Sequence, residues 1–273
     1  MKDFELKKNS LSLYFVIAFG LPIITTIIVT LFAGSPSGLV VNELSAAALV
    51  VVMAMVHAPT IAAMIVVFRS QRFQGIKILF RQLKYWKFAT RWYLKAILIF
   101  PVTMLAVLLV LSLFSASFTP VLSLSVIMAF AALFGPLWEE IGWTGFATPV
   151  MLKRWTPLQV GLLLGALHAM WHLAANIYGA GAFHGNLFIV NFLATSVGIV
   201  GLRIVTIWIY MHTSSLVLGW LTHVSFTGGQ LLFVSFALTS PETVVWNSAF
   251  SLSVVGIVVF LVARNKELMV RVK

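Results

Sequence analysis

Glu139 and Glu140 are the acidic residues of this sequence that stand directly beside a long apolar run, 121–138. The chain has seven acidic residues, and the other five lie near its ends or in polar gaps: Asp3, Glu5, Glu43, Glu242 and Glu267. An acid or base at the centre of a bilayer costs about 2.5–3.5 kcal/mol on insertion scales, so acids placed there are functional candidates. Two adjacent carboxylates in a low dielectric cannot cheaply both stay ionised. The pair therefore offers a base and an acid side by side.

Three histidines could join this pair. His168 and His172 are four residues apart within the apolar run 157–177, so a helix would place them on one face. His223 lies about eight residues into another run, 215–238. A lone buried histidine is more often a packed core residue than a catalyst, but two histidine-bearing runs facing a glutamate-bearing one favour a shared site.

Two kinds of chemistry fit such a set. In the first, Glu139, His172 and His223 hold zinc and leave an open position for water. The sequence has no H-E-x-x-H motif, so these ligands would come from three separate runs. In the second, no metal is needed: a glutamate activates water for attack on a peptide carbonyl, while histidine and polar neighbours stabilise the oxyanion. The residues alone leave both versions open.

The composition decides what kind of element carries these residues. The chain has 273 residues, of which 61% are hydrophobic and 9% charged, and its mean hydropathy is +1.04. Soluble domains carry about 25% charged residues, so most of this surface must face lipid. The net charge of +11 lies in the gaps between apolar runs, which argues against nucleic acid as a partner. Cysteine is absent, so thiolate ligands and disulfides are excluded. We expect a single transmembrane domain over residues 1–273.

Eight runs are long enough to span a bilayer as helices, which needs about 20 residues each. They predict an all-α polytopic membrane protein with spans near 11–33, 45–68, 95–115, 121–148, 157–177, 187–210, 215–238 and 243–263. Lysine and arginine are absent from alternate gaps, near 34–44, 116–120, 178–186 and 239–242. Because basic residues collect on the cytoplasmic side, this pattern predicts cytoplasmic termini. The glutamates and histidines would then meet in the cytoplasmic half of the membrane.

The basic segment 69–94 separates the second and third runs. It mixes seven lysines and arginines with aromatic and aliphatic residues at helical spacing. Such a pattern favours an amphipathic helix that lies on an anionic inner leaflet. The alternative, an ordinary positive loop, explains only the charge.

Three strings of the sequence carry a family resemblance: EEIGWTGFATP at 139–149, GALHAMWHL at 165–173 and THVSFTGG at 222–229. They resemble the three motifs of the CAAX prenyl protease and bacteriocin-processing family, an intramembrane protease family also called Abi or CPBP. The resemblance covers about 121–238, and motif order and spacing agree. The first three runs match only in being hydrophobic.

The resemblance implies a role for each motif residue. The first family motif, E-E-x-x-x-R, makes Glu139 the base that activates water and Glu140 its supporting partner. The second implies that His172 orients the water or protonates the leaving amine, with His168 standing where a phenylalanine is usual. The third, H-x-x-x-N or H-x-x-x-D, implies that His223 stabilises the oxyanion.

Two positions depart from these motifs. Thr144 stands where the family has arginine, which should make Glu140 easier to protonate unless Arg203 or His168 compensates. Thr227 stands where the family has Asn or Asp, and its hydroxyl is a weaker oxyanion partner than an amide. Losing an oxyanion donor can lower a rate by about 10²–10³.

The leading hypothesis is an intramembrane endopeptidase of a prokaryotic cell membrane, acting on a membrane-associated peptide or protein without a cofactor. Its active site would open toward the cytoplasm, and zinc is the alternative cofactor. A second hypothesis is a catalytically impaired family member that acts as a bacteriocin-immunity or binding protein. A third is a proton-coupled transporter, for which internal repeats would be expected but are not seen.

Overall fold

A computed structural model describes residues 4–33, 46–123, 125–176 and 185–271 of the chain. Within these ranges the chain is helical and contains no strand, which confirms the predicted all-α class. The described ranges contain ten α-helices: α1 Ser10–Ala33, α2 Ala46–Arg81, α3 Thr90–Ser112, α4 Val126–Gly142, α5 Thr148–Leu152, α6 Pro157–Trp171, α7 Leu173–Asn176, α8 Phe188–Thr213, α9 Leu216–Phe233 and α10 Ser240–Arg264. A π-helical turn, Trp143–Ala147, joins α4 to α5.

Seven helical stretches among the described residues are long and apolar enough to cross a membrane: Ser10–Phe32, Leu49–Lys84, Thr90–Ser112, Val126–Leu152, Gly185–Thr213, Leu216–Phe233 and Ser240–Arg264. The protein is therefore an integral membrane protein. The predicted span 157–177 forms the shorter apolar helix α6, followed by α7. The count of eight spans and the cytoplasmic termini remain predictions. The predicted outer gaps 34–44 and 178–186 lie mostly outside the described residues.

The basic segment 69–94 is helical in its first part and irregular in its second. Helix α2 continues past the apolar run but changes direction at Arg72, whose backbone has φ 52° and ψ −144°. A 3₁₀ turn, Gln82–Lys84, follows, and α3 begins at Thr90. The large side chains of Phe73 and Trp86 are exposed. The position of this segment at a membrane surface remains a prediction.

Helices α8 and α9 lie at the centre of the bundle. Helix α8 packs against α6, α9 and α10, while α9 also packs against α3 and α4. Two clusters of buried apolar side chains result. One joins α1, α2, the π turn and α6 with parts of α8 and α9, and the other joins α3, α8, α9 and α10. Because α8 and α9 contribute to both clusters, the polar residues that they direct between the clusters, such as Arg203 and His223, are buried.

Candidate active site

Five helical elements bring their polar side chains to one buried place. Helix α4 supplies Glu139 and Glu140, and the π turn that follows supplies Thr144. Helices α6, α8 and α9 supply His168, Arg203 and His223. All six side chains are buried. The structure thus brings together the two predicted glutamates with His168 and His223, and adds a cation from α8.

A close contact between α2 and α4 fixes the height of the glutamates. A Cβ atom on Gly142 would lie 2.4 Å from the carbonyl carbon and oxygen of Pro59, so only glycine allows this approach. The Thr60 hydroxyl donates a hydrogen bond to the carbonyl oxygen of Trp138, the residue before the glutamate pair. Helix α2 therefore braces α4 on both sides of Glu139 and Glu140.

Two side chains stabilise the π turn by donating hydrogen bonds to its backbone carbonyl oxygens. The Thr148 hydroxyl donates to the Trp143 carbonyl at 2.9 Å, five residues back along the chain. The buried Gln82 amide donates to the Gly145 carbonyl, also at 2.9 Å. Single π turns inside helices often occur at functional sites. Here the turn carries Thr144, and it sets the direction in which this residue faces Glu140.

Glu140 has a full set of hydrogen-bond donors. Arg203 donates from Nη1 to Oε2 at 3.0 Å and from Nη2 to Oε1, which makes a bidentate ion pair. The Thr144 hydroxyl donates to Oε2, and His223 Nδ1 lies 2.8 Å from Oε1. An ionised carboxylate has about four lone-pair sites. Since three donors and the His223 ring nitrogen surround this carboxylate, Glu140 is the structural centre of the site.

Glu139 is bonded quite differently. Within the described part of the chain its side chain has one hydrogen-bond partner, His168, whose Nε2 lies 3.1 Å from Oε2. The Glu139 side chain is 8% exposed, whereas that of Glu140 is 0% exposed. Glu139 therefore keeps an oxygen free for water and Glu140 does not.

Arg203 also determines where the proton of His168 lies. The Arg203 Nε–H donates to His168 Nδ1 at 2.9 Å. A guanidinium can only donate, so Nδ1 must be the unprotonated nitrogen of the ring. The proton of a neutral His168 is then on Nε2, and this N–H donates to Glu139. A continuous chain runs from Glu140 through Arg203 and His168 to Glu139.

Three further predicted site residues lie beside this series of hydrogen bonds: His172, His223 and Thr227. The half-buried His172 ring lies 4.9 Å from the His168 ring, measured between centroids. His223 turns Nδ1 toward Glu140, and among the described residues nothing hydrogen-bonds its Nε2. No hydrogen bond of the Thr227 hydroxyl is found in the same ranges. His172 and the far side of His223 are thus the nitrogens still open to a substrate.

Some of these side chains could also act as metal ligands. Among the described residues, Glu139, His168 and His172 bring potential ligand atoms within 4.8 Å of one another, and His223 is not part of that group. Nδ1 of His168 accepts from Arg203, so its Nε2 carries the proton and has no lone pair to offer a metal. A histidine ligand normally donates its second nitrogen to a carboxylate or carbonyl, which is the reverse arrangement. His168 therefore does not fit the role of a metal ligand while Arg203 donates to its Nδ1. The predicted alternative set of Glu139, His172 and His223 remains a prediction.

The main participant missing from the sequence-based set of site residues is Arg203. Its one signal was a lone arginine within an apolar run, which is costly in a membrane unless the charge is paired. Helix α1 is a second unexpected neighbour. Its Tyr14 ring packs against Trp143 at 5.8 Å between centroids, and the Trp171 indole donates to the Ala18 carbonyl at 3.1 Å. No motif in α1 indicated this contact.

Comparison with known proteins agrees with the motifs. Residues 120–228 match the sequence model of the family described as type II CAAX prenyl endopeptidase Rce1-like. The matched range contains Glu139, Glu140, His172 and His223, so the match confirms the predicted family resemblance. A search of curated proteins finds no match.

Proposed function

We propose that this protein, whose residues 120–228 match a family of membrane prenyl endopeptidases, is an intramembrane endopeptidase that needs no metal. The observation that carries the proposal is the unequal bonding of the two glutamates. Glu140 is fully occupied by donors, while Glu139 keeps a free oxygen. A general base must be able to reach the proton that it removes. Glu139 meets this requirement, so it is the residue that activates water.

The chemical steps balance with the residues present. Glu139 takes a proton from water as the water oxygen bonds to the peptide carbonyl carbon, and the carbonyl oxygen becomes an oxyanion. The half-buried His172 relays that proton from Glu139 to the leaving nitrogen as the C–N bond breaks. The products are a carboxylate and an amine, and the second proton of the water leaves with them. Glu139 is thereby returned to the carboxylate form in which it began.

His223 serves the oxyanion in this proposal. To donate from Nε2 while Nδ1 donates to Glu140, its ring must carry two protons. Thr227, one helical turn further along α9, supplies a hydroxyl as the second donor. Preorganised donors of this kind stabilise an oxyanion strongly because they need no rearrangement during the reaction.

The substrate is a membrane-associated peptide or protein. A cavity of about 640 Å³ lies between α3, α4 and α9, with an apolar lining that includes Pro101, Ala132 and Leu221. Ala132 is two helical turns before Glu139 and on the same face of α4. This cavity suits an apolar side chain or a lipid-like tail attached to the substrate. The predicted position of the basic segments supports a site that opens toward the cytoplasm.

The test of this proposal is cleavage of membrane peptides, among them prenylated C-termini and leader peptides, by purified protein in liposomes. We expect wild type to cleave at least one class and Glu139→Gln to lose the activity by about 10²–10⁴. Equal activity of the two proteins would refute the role of Glu139. Elemental analysis and a chelator test accompany the assay, and loss of activity on metal removal would refute the metal-free mechanism.

The second candidate function is that of an impaired family member that binds peptides as an immunity or binding protein. The observation that favours it is Thr227, which lacks the amide expected at that position. In this case the wild type binds candidate peptides without cleaving them, and Thr227→Asn creates cleavage. Turnover by the wild type would exclude it.

A further inference from the structure

We propose that Arg203 is a positioning residue that replaces, from another helix, the cation missing at position 144, and that holds the proton of His168 on Nε2. The inference rests on the proposed function for its effect on turnover. Its structural part, the proton position and the coupling between residues, can be measured in a protein that cleaves nothing.

The first argument is that Arg203 and Thr144 donate hydrogen bonds to the same oxygen of Glu140. Arg203 Nη1 and the Thr144 hydroxyl both donate to Oε2 of Glu140. A guanidinium starting from position 144 would therefore reach the carboxylate that Arg203 now holds. Both cations together would crowd one carboxylate with two like charges. The small Thr144 is thus the residue type that the presence of Arg203 requires.

The second argument is the close packing around Thr144. A Cβ atom on Gly219 of α9 would lie 2.8 Å from Thr144 Cγ2. No room is left here for a longer side chain while the Arg203 head group occupies the space at Glu140. Removing that head group opens the space that an arginine at position 144 would need.

The third argument is the Nε–H of Arg203, which Glu140 cannot satisfy because both its oxygens already bind Nη1 and Nη2. His168 Nδ1 accepts this hydrogen at 2.9 Å. A phenylalanine at position 168 would leave this N–H buried without a partner, which is unfavourable, and more so for a charged group. Thr144, His168 and Arg203 therefore form one interdependent unit.

The consequence for catalysis runs through His168. With Nδ1 held as an acceptor, the ring presents Nε2–H to Glu139 and fixes the carboxylate in one orientation. Without Arg203 the ring can carry its proton on either nitrogen, and Glu139 loses its fixed donor. Small misplacements of a reacting group can cost about 10²-fold in rate.

The experiment compares wild type with Arg203→Leu, Arg203→Lys, Thr144→Arg and the double variant Thr144→Arg/Arg203→Leu. We expect Arg203→Leu to lower kcat by on the order of 10²-fold. Arg203→Lys should not restore it, because an ammonium lacks the planar fork and the Nε donor. The double variant should be more stable than Arg203→Leu, because a guanidinium again pairs with Glu140, and Thr144→Arg alone should be less stable than wild type.

Nitrogen-15 NMR of histidine-labelled protein gives the readout that a merely structural arginine would not move. The His168 signals, assigned by their loss in His168→Phe, should report an Nε2–H tautomer in wild type and a mixture in Arg203→Leu. If Arg203→Leu does not fold, recovery of the folded protein in the double variant supports the inference. An Nδ1–H tautomer in wild type, or no recovery of stability in the double variant, would overturn it. A different outcome would refute only the proposed function: the wild type is inactive, but it shows the Nε2–H tautomer and the double variant recovers.

Discussion

Arg203 and Glu140 form a bidentate ion pair although they are 63 positions apart in the sequence. Within the described part of the chain, Glu139 is the carboxylate of the site that is not paired with an arginine or lysine. Both members of the pair are buried, with side chains 1% and 0% exposed. An unpaired charge at this place would be very unfavourable, so removal of either member should destabilise the protein. Glu139 is the carboxylate that remains for chemistry.

The two glutamates should respond differently to the same substitution. Glu140→Gln removes the charge that balances Arg203, and breaking a buried ion pair costs about 3–5 kcal/mol. Glu139→Gln removes no cation's partner, so we expect unfolding within about 1 kcal/mol of wild type. Thermal unfolding in detergent measures both variants.

A Glu139→Gln variant that unfolds as easily as Glu140→Gln would contradict this division between a structural and a reactive carboxylate. Loss of activity has a different cause in each variant. Glu139→Gln is expected to be folded and inactive, while inactivity of Glu140→Gln is explained by its loss of stability.

The contact between α2 and α4 gives a second prediction. Gly142→Ala places a Cβ against the backbone of Pro59 and should push α4 away, at a cost of about 1–3 kcal/mol. Because Glu139 and Glu140 belong to α4 and move with it, kcat should fall as well. Gly135→Ala on the same helix is the matched control, since a Cβ at that position would have nothing within 4 Å. Equal stability of the two variants would show that the contact does not position α4.

The sequence predicted the parts of this site that follow from local pattern. The apolar runs predicted the helices, and the four-residue spacing predicted that His168 and His172 share one helix face. In the structure both lie near Glu139. Local pattern could also single out Glu139 and Glu140, because an acid beside an apolar run is costly unless it is used. These features depend on neighbours within a few residues, which a sequence displays directly.

The features that the sequence could not settle depend on helices that meet far apart in the chain. The motifs left Arg203 and His168 as two ways to compensate for Thr144, because the direction in which α8 faces is a tertiary property. The bond between Trp171 and Ala18 joins residues 153 positions apart. The π turn at Trp143–Ala147 likewise depends on Gln82, which reaches it from the end of α2.

Membrane orientation can be checked because the chain has no cysteine of its own. Lys266→Cys lies in a predicted inner segment and Ala116→Cys in a predicted outer one, and both positions are exposed. In intact cells, an impermeant thiol reagent added outside should label Ala116→Cys and spare Lys266→Cys until the membrane is opened. The reverse pattern would place the site on the other side of the membrane.

His223 allows the structural and chemical roles of one ring to be separated. An asparagine amide can occupy the place of Nδ1, and a glutamine amide the place of Nε2. His223→Asn should keep the hydrogen bond to Glu140 and remain within about 1 kcal/mol of wild type. It lacks the donor aimed at the oxyanion, so kcat should fall by about 10²–10³.

His223→Gln should show the opposite pattern. It leaves Oε1 of Glu140 without its donor from α9, so the free energy of unfolding should fall by about 1–3 kcal/mol. Its amide N–H can still point toward the substrate, so the folded fraction should keep more activity than His223→Asn. Peptide cleavage and thermal unfolding of the same two preparations decide the matter. If His223→Asn cleaves at the wild-type rate, Nε2 takes no part in the reaction and another group must stabilise the oxyanion.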